Sequence, residues 1–310
     1  MNMKEEKWYK KKKFRRIVLG TVLLLLLGIG GYAFSIFKSF NSAIETMHQP
    51  IEKTNKRDND ISMQKQDPFS VLMLGVDETA NNSGRTDTMI LLTVNPKEES
   101  VKMLSIPRDT KTEIVGNGTV EKINHAYARG GVEMSIATVE HFLDMPIDYY
   151  VKINMEGFKD VIDALNGVTV VNDMDLTYKN DHFPKGEIEL NGKKALVFSR
   201  IRYEDPRGDF GRQIRQKQII QAILDKGTNL SSLLKIDDVL GKLGENIKTN
   251  FTLKEMLSIQ KQYKSLNKNI EQIQFKDGNG GKEAGVWYYY PDETELSEIK
   301  QTLKGHLLLK

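Results

Sequence analysis

The sequence predicts an α/β fold, in which a single domain built on a central mixed β-sheet flanked by helices follows one N-terminal transmembrane helix. Two observations indicate it. Residues 17–37 carry no charge over 21 positions, and the later part of the chain alternates apolar runs of strand length with longer segments of helical periodicity. With 310 residues, the chain is long enough to bury a full core.

The uncharged segment 17–37 predicts the compartment of the protein. As a helix with a rise of 1.5 Å per residue it is about 31 Å long, close to the ~30 Å hydrocarbon thickness of a bilayer. Residues 1–16 contain eight lysines and arginines, which favours a cytoplasmic N-terminus and a domain outside the cell membrane, a single-pass type II arrangement. A cleaved signal peptide is the alternative, since Gly30, Gly31 and Ala33 supply small residues near the end of the segment.

The remaining chain divides into a polar linker, residues 38–67, and a folded domain, residues 68–310. There are no cysteines, so disulfides and thiolate sites are excluded. The net charge is only +3 and the basic residues are concentrated in residues 1–16. This distribution is not that of a nucleic-acid-binding protein.

Three apolar runs open the folded domain and predict neighbouring strands at residues 71–76, 88–94 and about 101–106. If hairpins join them as antiparallel neighbours, the end of the first, the start of the second and the end of the third lie at one edge of the sheet. That edge then collects charged side chains, namely Asp77, Arg85, Asp87 and Arg108.

Carboxylates beside arginines can hold a phosphate group if a cation bridges them, and Mg²⁺ is bound by one or two aspartates together with phosphate oxygens. The edge therefore suggests a pyrophosphate and magnesium site. A lattice of Asp–Arg pairs that pins loops is the alternative.

The segment 199–218 contains five arginines and a single lysine. Arginine is favoured where a planar fork grips carboxylate or phosphate oxygens. Arg200 and Arg202 are two apart and share a side of an extended backbone, whereas Arg212 and Gln216 are four apart and share a helix face. The alternative is a salt-bridged surface, because the segment also contains acidic residues: Glu204, Asp205 and Asp209.

The middle and end of the chain supply the helices and strands that complete an α/β sheet with helices on both faces. The pattern predicts helices at 130–143, 155–165, 208–226, 231–247, 252–266 and 293–308, and strands at 149–153, 168–171, 270–275 and 286–290. Trp287 and the three tyrosines after it favour core packing, with contact to sugar as the alternative. No phosphate-binding Gly-Lys loop, dinucleotide fingerprint or serine-hydrolase elbow is present.

With these residues in view, the chain resembles the LytR-CpsA-Psr family. The matching motifs are VLMLGVD, GRTDTMILLTV, SIPRDT, KINHAYARGG and SRIRYEDPRGDFGRQIRQKQ, and they cover residues 69–218. The resemblance implies an α/β domain outside the membrane that holds the pyrophosphate of a polyprenyl-linked glycopolymer. The lipid tail is then expected in an apolar pocket between the sheet and the helices.

The resemblance also implies roles for individual residues. The pyrophosphate-binding set falls on Arg85, Arg108, Arg200, Arg202, Arg212 and Gln216, and the residues that bind Mg²⁺ or Mn²⁺ fall on Asp77 and Asp87. Asp77, Asp87 and Arg85 form the expected catalytic set. Thr79 departs from the family pattern, because many members carry arginine there.

The activity that the resemblance implies is transfer of an anionic glycopolymer, wall teichoic acid, from undecaprenyl pyrophosphate to a hydroxyl of peptidoglycan in cell wall assembly. A binding or scaffolding module for the lipid pyrophosphate and a carrier pyrophosphatase are the alternatives. A transcription regulator disagrees with the predicted topology, because the strongly basic run flanks the membrane segment.

Overall fold

The computed structural model describes residue 38, residues 41–51, residue 57 and residues 60–78, 84–227, 243–262 and 269–309. The labelled helices are α1 (His125–Leu143), α2 (Met155–Ala164), α3 (Gly192–Phe198), α4 (Asp209–Gly227), α5 (Leu253–Gln262) and α6 (Glu293–His306). The strands are β1 (Phe69–Val76), β2 (Thr86–Asn95), β3 (Ser100–Ser105), β4 (Lys111–Ile114), β5 (Thr119–Lys122), β6 (Tyr149–Asn154), β7 (Val168–Asn172), β8 (Leu176–Tyr178), β9 (Asp181–Phe183), β10 (Gly186–Leu190), β11 (Ile247–Thr249), β12 (Ile270–Ile273), β13 (Asn279–Glu283) and β14 (Val286–Tyr290).

A six-stranded sheet in the order β11-β6-β1-β2-β3-β12 forms the centre of the fold. The β1–β2 and β2–β3 pairs are antiparallel, as the sequence predicts, whereas β6 pairs in parallel with β1 and β12 pairs in parallel with β3. The predicted α/β fold with a central mixed sheet is confirmed.

Both faces of the central sheet are covered by helices, because successive strand side chains point to opposite faces and both sets are apolar here. Leu72, Leu74 and Met89 pack with residues of α1 and α6 on one face. Val71 and Ile90 pack with residues of α4 and α5 on the other. The near-continuous apolar sequence of β1 therefore fits its central place in the sheet.

A smaller apolar layer joins α2, α3 and α4 to the two-stranded β7–β10 ribbon. Asn154 and Asn191 cap the first two of these helices by accepting hydrogen bonds from Gly157 N and Lys194 N, both at helix starts. The layer sits beside β6, and α4 bridges it to the central sheet.

Part of the predicted linker 38–67 packs against the folded domain. Ala43 and Ile44 are buried, His48 forms a β-bridge with Thr249, and the Gln49 carbonyl accepts a hydrogen bond from the Tyr150 hydroxyl. The polarity of the segment concealed this contact, because only a few of its side chains face the domain while its backbone supplies hydrogen bonds.

Other boundaries also differ from the sequence prediction. Helix α1 starts at His125 and contains non-helical backbone at Gly130 and Gly131, so residues 125–129 extend a helix expected to begin at 130. The β4–β5 hairpin was not predicted, since its strands are short and alternate few apolar side chains. Most of the predicted helix 231–247 lies outside the described residues, and residues 247–249 form strand β11.

The predicted transmembrane helix, residues 17–37, and the basic flank, residues 1–16, lie outside the described residues. Among the helices that the structure describes, none has the length and apolar character needed to cross a bilayer.

Candidate functional site: an apolar cavity with a charged end

A cavity of about 510 Å³ lies between the central sheet and helices α2, α3 and α4. Its size is that of a ligand-binding site. The apolar part of the lining comes from both layers and includes Met73, Val151, Ile153, Phe158, Leu196, Ile220, Ile223 and Ile247. It suits an extended aliphatic chain rather than a polar ligand.

The other part of the lining is charged and contains seven of the eight predicted site residues. They are Asp77, Asp87, Arg108, Arg200, Arg202, Arg212 and Gln216. Segments distant in the chain meet here: the end of β1, the start of β2, the residues after β3, the loop after α3 and the first turns of α4. The two arginine- and aspartate-rich regions of the sequence therefore line one cavity. The binding and catalytic roles of these residues stay predictions.

Arg85 is the predicted site residue that is not part of the cavity lining. Its side chain is exposed, while its backbone N–H donates to Asp77 Oδ1 at 2.5 Å and its carbonyl accepts from Asp77 N at 3.2 Å. Arg85 thus fixes the Asp77 carboxylate through its main chain. A contact between its guanidinium group and pyrophosphate stays a prediction.

Asp87 is positioned by a β-bulge between β1 and β2. Gly75 pairs with Thr88 and Val76 pairs with Thr86, so Asp87 is the extra residue without a partner on β1. A bulge interrupts the alternation of side chains and redirects one of them. The sequence gives no direct signal for this feature, because it depends on the pairing register.

Asp87 forms an ion pair with the guanidinium group of Arg108. Burial alone would lower the pKa of Arg108, but the charge and hydrogen bond of Asp87 outweigh burial and raise it. Arg108 Nε is nevertheless buried without a hydrogen-bond partner among the described residues. The Asp109 Oδ2 atom lies 3.8 Å from this Nε, beyond hydrogen-bond distance, so the donor is unsatisfied in the described part of the chain.

Arg212 is 7% exposed and pairs with Asp209, with 2.9 Å between Nη2 and Oδ1. Burial lowers the pKa of Arg212; Asp209 opposes this shift, and the positive charge of Arg108 adds to it. Arg212 Nε, like Arg108 Nε, is a buried donor without a hydrogen-bond partner in the described part of the chain. Buried donors of this kind are costly unless a ligand satisfies them.

Asp209 is a further residue of the charged end that the prediction did not assign. Arg202 Nε lies 3.8 Å from Asp209 Oδ1, and Gln213 Nε2 donates to Asp209 Oδ2 at 3.1 Å. One carboxylate thus holds Arg202 and Arg212 near each other. Its place at the first position of α4 is the signal that could have identified it, since acidic residues favour helix starts.

The other two arginines of the segment have a structural role. The buried Asp205 carboxylate pairs with Arg207 and with Arg215, and Arg207 also pairs with Asp173. Burial would raise the pKa of Asp205, but the hydrogen bonds from Arg207 and Arg215 outweigh burial and lower it to about 2. Arg207 and Arg215 thus form ion pairs inside the protein, whereas Arg200, Arg202 and Arg212 line the cavity.

The aspartates at the charged end fit a hard divalent cation. Oδ1 of Asp77 and Oδ1 of Asp87 are engaged by the protein, and no hydrogen bond from a described residue reaches either Oδ2. The described residues contain no group of three or more histidines and carboxylates able to hold a metal. Two carboxylates with additional ligand and water oxygens match the coordination habits of Mg²⁺, which seldom occupies an all-protein cage.

Comparison with known proteins agrees with this architecture. The model of the LytR_cpsA_psr family matches residues 34–305. The chain is 50% identical over 305 residues to the Bacillus subtilis polyisoprenyl-teichoic acid--peptidoglycan teichoic acid transferase TagU, covering 98% of this chain and 99% of the relative. The crystal structure of B. subtilis TagU matches with a TM-score of 0.65 and 50% identity over 79% of this chain and 98% of that one.

A structure of TagT bound to LIIa-WTA has a TM-score of 0.70 and 37% identity, and the match covers 83% of this chain and 97% of that one. The extent of the family match and the identity over nearly the whole chain settle the relationship. The chain belongs to the LytR_cpsA_psr family.

Proposed function

We propose that this protein transfers an anionic glycopolymer, wall teichoic acid, from undecaprenyl pyrophosphate to a hydroxyl of peptidoglycan. The observation that carries the proposal is one cavity that joins an apolar interior to the buried, unsatisfied Nε–H groups of Arg108 and Arg212. A polyprenyl pyrophosphate joins an apolar tail to an anionic group, so its binding site must offer both environments. Relatives named as teichoic acid transferases support the same activity.

The donor binds with its isoprenoid tail between the sheet and α4 and its pyrophosphate at the charged end. Ile220 and Ile223 line the tail region from the same helix that places Arg212 and Gln216 at the charged end. Guanidinium forks suit pyrophosphate because they give paired, charge-assisted hydrogen bonds. The helix thereby fixes the distance between the lipid and the reacting phosphorus.

In the transfer step, the acceptor hydroxyl oxygen attacks the phosphorus that carries the polymer. A new P–O bond to the acceptor forms, the bridging P–O bond breaks, and its electron pair leaves with undecaprenyl phosphate. Arg108, Arg200 and Arg212 stabilise the charge that builds on the phosphoryl oxygens and the leaving phosphate. The hydroxyl proton passes to whichever of Asp77 and Asp87 has a carboxylate oxygen that does not coordinate the cation.

Asp77 and Asp87 would hold Mg²⁺ or Mn²⁺ at the charged end through the oxygens that the protein leaves free. When bound, the cation supplies charge neutralisation to the pyrophosphate. The direct check is calorimetric titration of the donor-loaded protein with MgCl₂ and MnCl₂. The native protein should bind the cation saturably. The double variant Asp77→Asn, Asp87→Asn should bind it at least tenfold more weakly.

The activity is tested with the full chain in detergent, a synthetic polyprenyl-pyrophosphate glycolipid, peptidoglycan fragments and MgCl₂. Arg108→Ala should lower kcat by roughly a hundredfold or more, the scale of losing a charge-stabilising donor. Arg129→Ala is the matched control, because Arg129 is half exposed, pairs with Glu121 and does not line the cavity. It should retain native activity.

The two alternatives give different products in the same assay. Tight donor binding without any turnover, with acceptor present, would support a binding module. Release of undecaprenyl phosphate at the same rate without acceptor would support a carrier pyrophosphatase. A phosphodiester-linked product that requires the acceptor supports the transferase.

The same proposal places residues 17–37 in the cytoplasmic membrane with the folded domain outside. The absence of cysteine makes the topology testable with single introduced cysteines. In intact spheroplasts, Val120→Cys should react with a membrane-impermeant maleimide, because Val120 is exposed, whereas Lys4→Cys should react only after permeabilisation. The reverse pattern would contradict this orientation.

A further inference from the structure

The β13–β14 ribbon carries an aromatic surface beside the charged end of the cavity. Trp287 and Tyr289 share one face of β14, since they are two residues apart. Tyr289 is buried, whereas Trp287 is 39% exposed. The buried Tyr289 contributes to core packing, whereas core packing does not account for the exposed part of Trp287.

Glycines on β13 and just before it make room for these two rings. A Cβ at Gly280 would lie 2.4 Å from Trp287 Cζ2, and a Cβ at Gly278 would lie 2.0 Å from the Tyr289 hydroxyl oxygen. Each ring therefore packs directly against the backbone of a glycine, in the space that a side chain there would fill. The indole is thus in contact with the ribbon backbone at Gly280, and 39% of Trp287 is exposed to solvent.

Contacts of Tyr289 connect the ribbon to residues that adjoin the charged end of the cavity. Tyr289 N donates to the Asp109 carbonyl at 2.9 Å, next to Arg108. The Tyr289 ring meets the Phe210 ring edge to face, with 6.1 Å between centroids, and Phe210 adjoins Asp209, the partner of Arg212. Phe210 is 36% exposed, so a second exposed aromatic side chain lies beside Tyr289, next in sequence to Asp209.

The surroundings of Trp287 suit a neutral, polar ligand with an apolar face. Lys282 faces Trp287 across the ribbon, and on the other face Lys111 pairs with Glu283. The ribbon is therefore neither strongly basic nor broadly apolar. A pyranose ring presents polarised C–H groups on one face, which the negative face of an aromatic ring attracts, and hydroxyls at its edge.

We infer that Trp287 and Phe210 form the binding platform for the sugar rings of the peptidoglycan glycan acceptor. This inference rests on the proposed transferase function, because an acceptor hydroxyl must approach the transferring phosphorus at the charged end. The platform holds the glycan by stacking, and the adjoining charged end receives its hydroxyl. Trp287 is a positioning and binding residue for the acceptor and has no role in donor binding.

The test uses the full chain, in which Trp8 and Trp287 are the only tryptophans. With Trp8→Phe as the background, fluorescence reports Trp287 alone. Titration with a β-1,4-linked N-acetylglucosamine tetramer and with uncross-linked peptidoglycan glycan strands should shift or quench the emission saturably. An emission unchanged by both glycans overturns the platform.

Kinetics separate the platform from the donor site. Trp287→Ala should raise KM for the glycan acceptor about tenfold, the loss of one stacking contact, while kcat and the Kd for donor stay within about twofold. Val286→Ala is the matched control, since Val286 is equally exposed, at 40%, on the opposite face of the same strand. It should leave KM for the acceptor unchanged.

The two proposals fail in different ways. If the native protein turns over donor but Trp287→Ala leaves KM for the acceptor unchanged, the platform is wrong and the transferase stands. If saturable fluorescence changes occur but no acceptor-dependent product forms, Trp287 binds glycan, while the transferase proposal and the acceptor role of the platform both fail.

Discussion

Arg212 is held under opposing electrostatic demands. Burial and the nearby positive charge of Arg108 favour the neutral form, and Asp209 opposes them. Its Nε–H has no hydrogen-bond partner in the described part of the chain. A buried, unpaired donor destabilises the free protein. An anion that accepts a hydrogen bond from this Nε–H removes that cost, so the folded protein is preorganised for anion binding.

Replacing Arg212 with lysine tests the need for a planar fork. Lysine keeps the charge but loses the Nε–H and the paired geometry. We expect Arg212→Lys to weaken donor binding by about ten- to a hundredfold, the effect of losing a charge-assisted hydrogen bond. Calorimetric titration with the polyprenyl-pyrophosphate glycolipid measures it, and native affinity in the variant would contradict the bidentate role.

The charged end also depends on Gly211, where a side chain would collide with Asp205. An added Cβ at Gly211 would lie 1.9 Å from Asp205 Oδ2, and Asp205 is locked between Arg207 and Arg215. Because this carboxylate cannot move without breaking buried ion pairs, we expect Gly211→Ala to destabilise the protein by about 1–3 kcal/mol or more.

Urea unfolding of Gly211→Ala against Gly305→Ala makes the comparison. Gly305 lies in α6 with no heavy atom within 4 Å of an added Cβ. Alanine there should stabilise by about 0.5–1 kcal/mol, since glycine is a poor helix former. Equal effects of the two substitutions would show that contact with Asp205 is not the cause.

At the scale of elements, α4 connects the two parts of the site. Its first turns place Arg212 and Gln216 at the charged end, and the next turns place Ile220 and Ile223 against the apolar region. The neighbouring flank of the helix packs in the layer with β7 and β10 through Ile219 and Ala222. A single rigid element thereby links tail binding to the position of the pyrophosphate.

Narrowing the apolar region should discriminate between donor tails. Ile223→Phe adds volume inside the cavity lining, so KM should rise about tenfold for a donor with a long isoprenoid tail and stay nearly unchanged for a short-tail donor. Ile214→Phe is the control, because Ile214 is half-buried on the same helix and does not line the cavity. An equal rise for both donors would mean that the tail does not occupy this region.

The sequence was most informative where local pattern determines structure. The apolar runs of β1, β2 and β3 predicted antiparallel neighbours because strand length and turn residues are local properties. The bulge that directs Asp87 was not predictable, since it depends on the register between two strands. Residue spacing could not separate Arg207 and Arg215 from Arg212, because their partners are set by tertiary packing around Asp205. Only the family resemblance left these two arginines out of the expected binding set.

At the scale of the whole molecule, the C-terminal helix α6 closes the sheet face opposite the cavity. His306 is 3% exposed at the end of α6, with Nδ1 2.7 Å from Thr93 Oγ1 and Nε2 2.8 Å from Ser100 Oγ. The helix is thus fastened to β2 and β3 through one imidazole, although it is distant from both in the chain.

This attachment predicts a pH dependence of stability. Burial is the main cause that lowers the pKa of His306; Lys102 adds to the shift, while Glu98 and Glu271 oppose it. The imidazole is therefore harder to protonate in the folded state than in the unfolded state, where its pKa is about 6.5. The folded state is fully stable above that value and loses stability as the pH falls through and below it, because the unfolded chain binds the proton more tightly.

His306→Gln cannot be protonated, so the variant should lose less unfolding free energy than the native protein between about pH 8 and pH 5. Urea unfolding of both proteins across this range measures the difference in slope, whatever the stability of the variant at high pH. The Asp205 carboxylate does not contribute here, because its pKa of about 2 restricts its effect to the acid range below its ordinary value. If the two slopes coincide, protonation of His306 does not cause the pH dependence of stability. The attachment of α6 to the sheet would then depend on its apolar contacts, through Ile299 and Leu303.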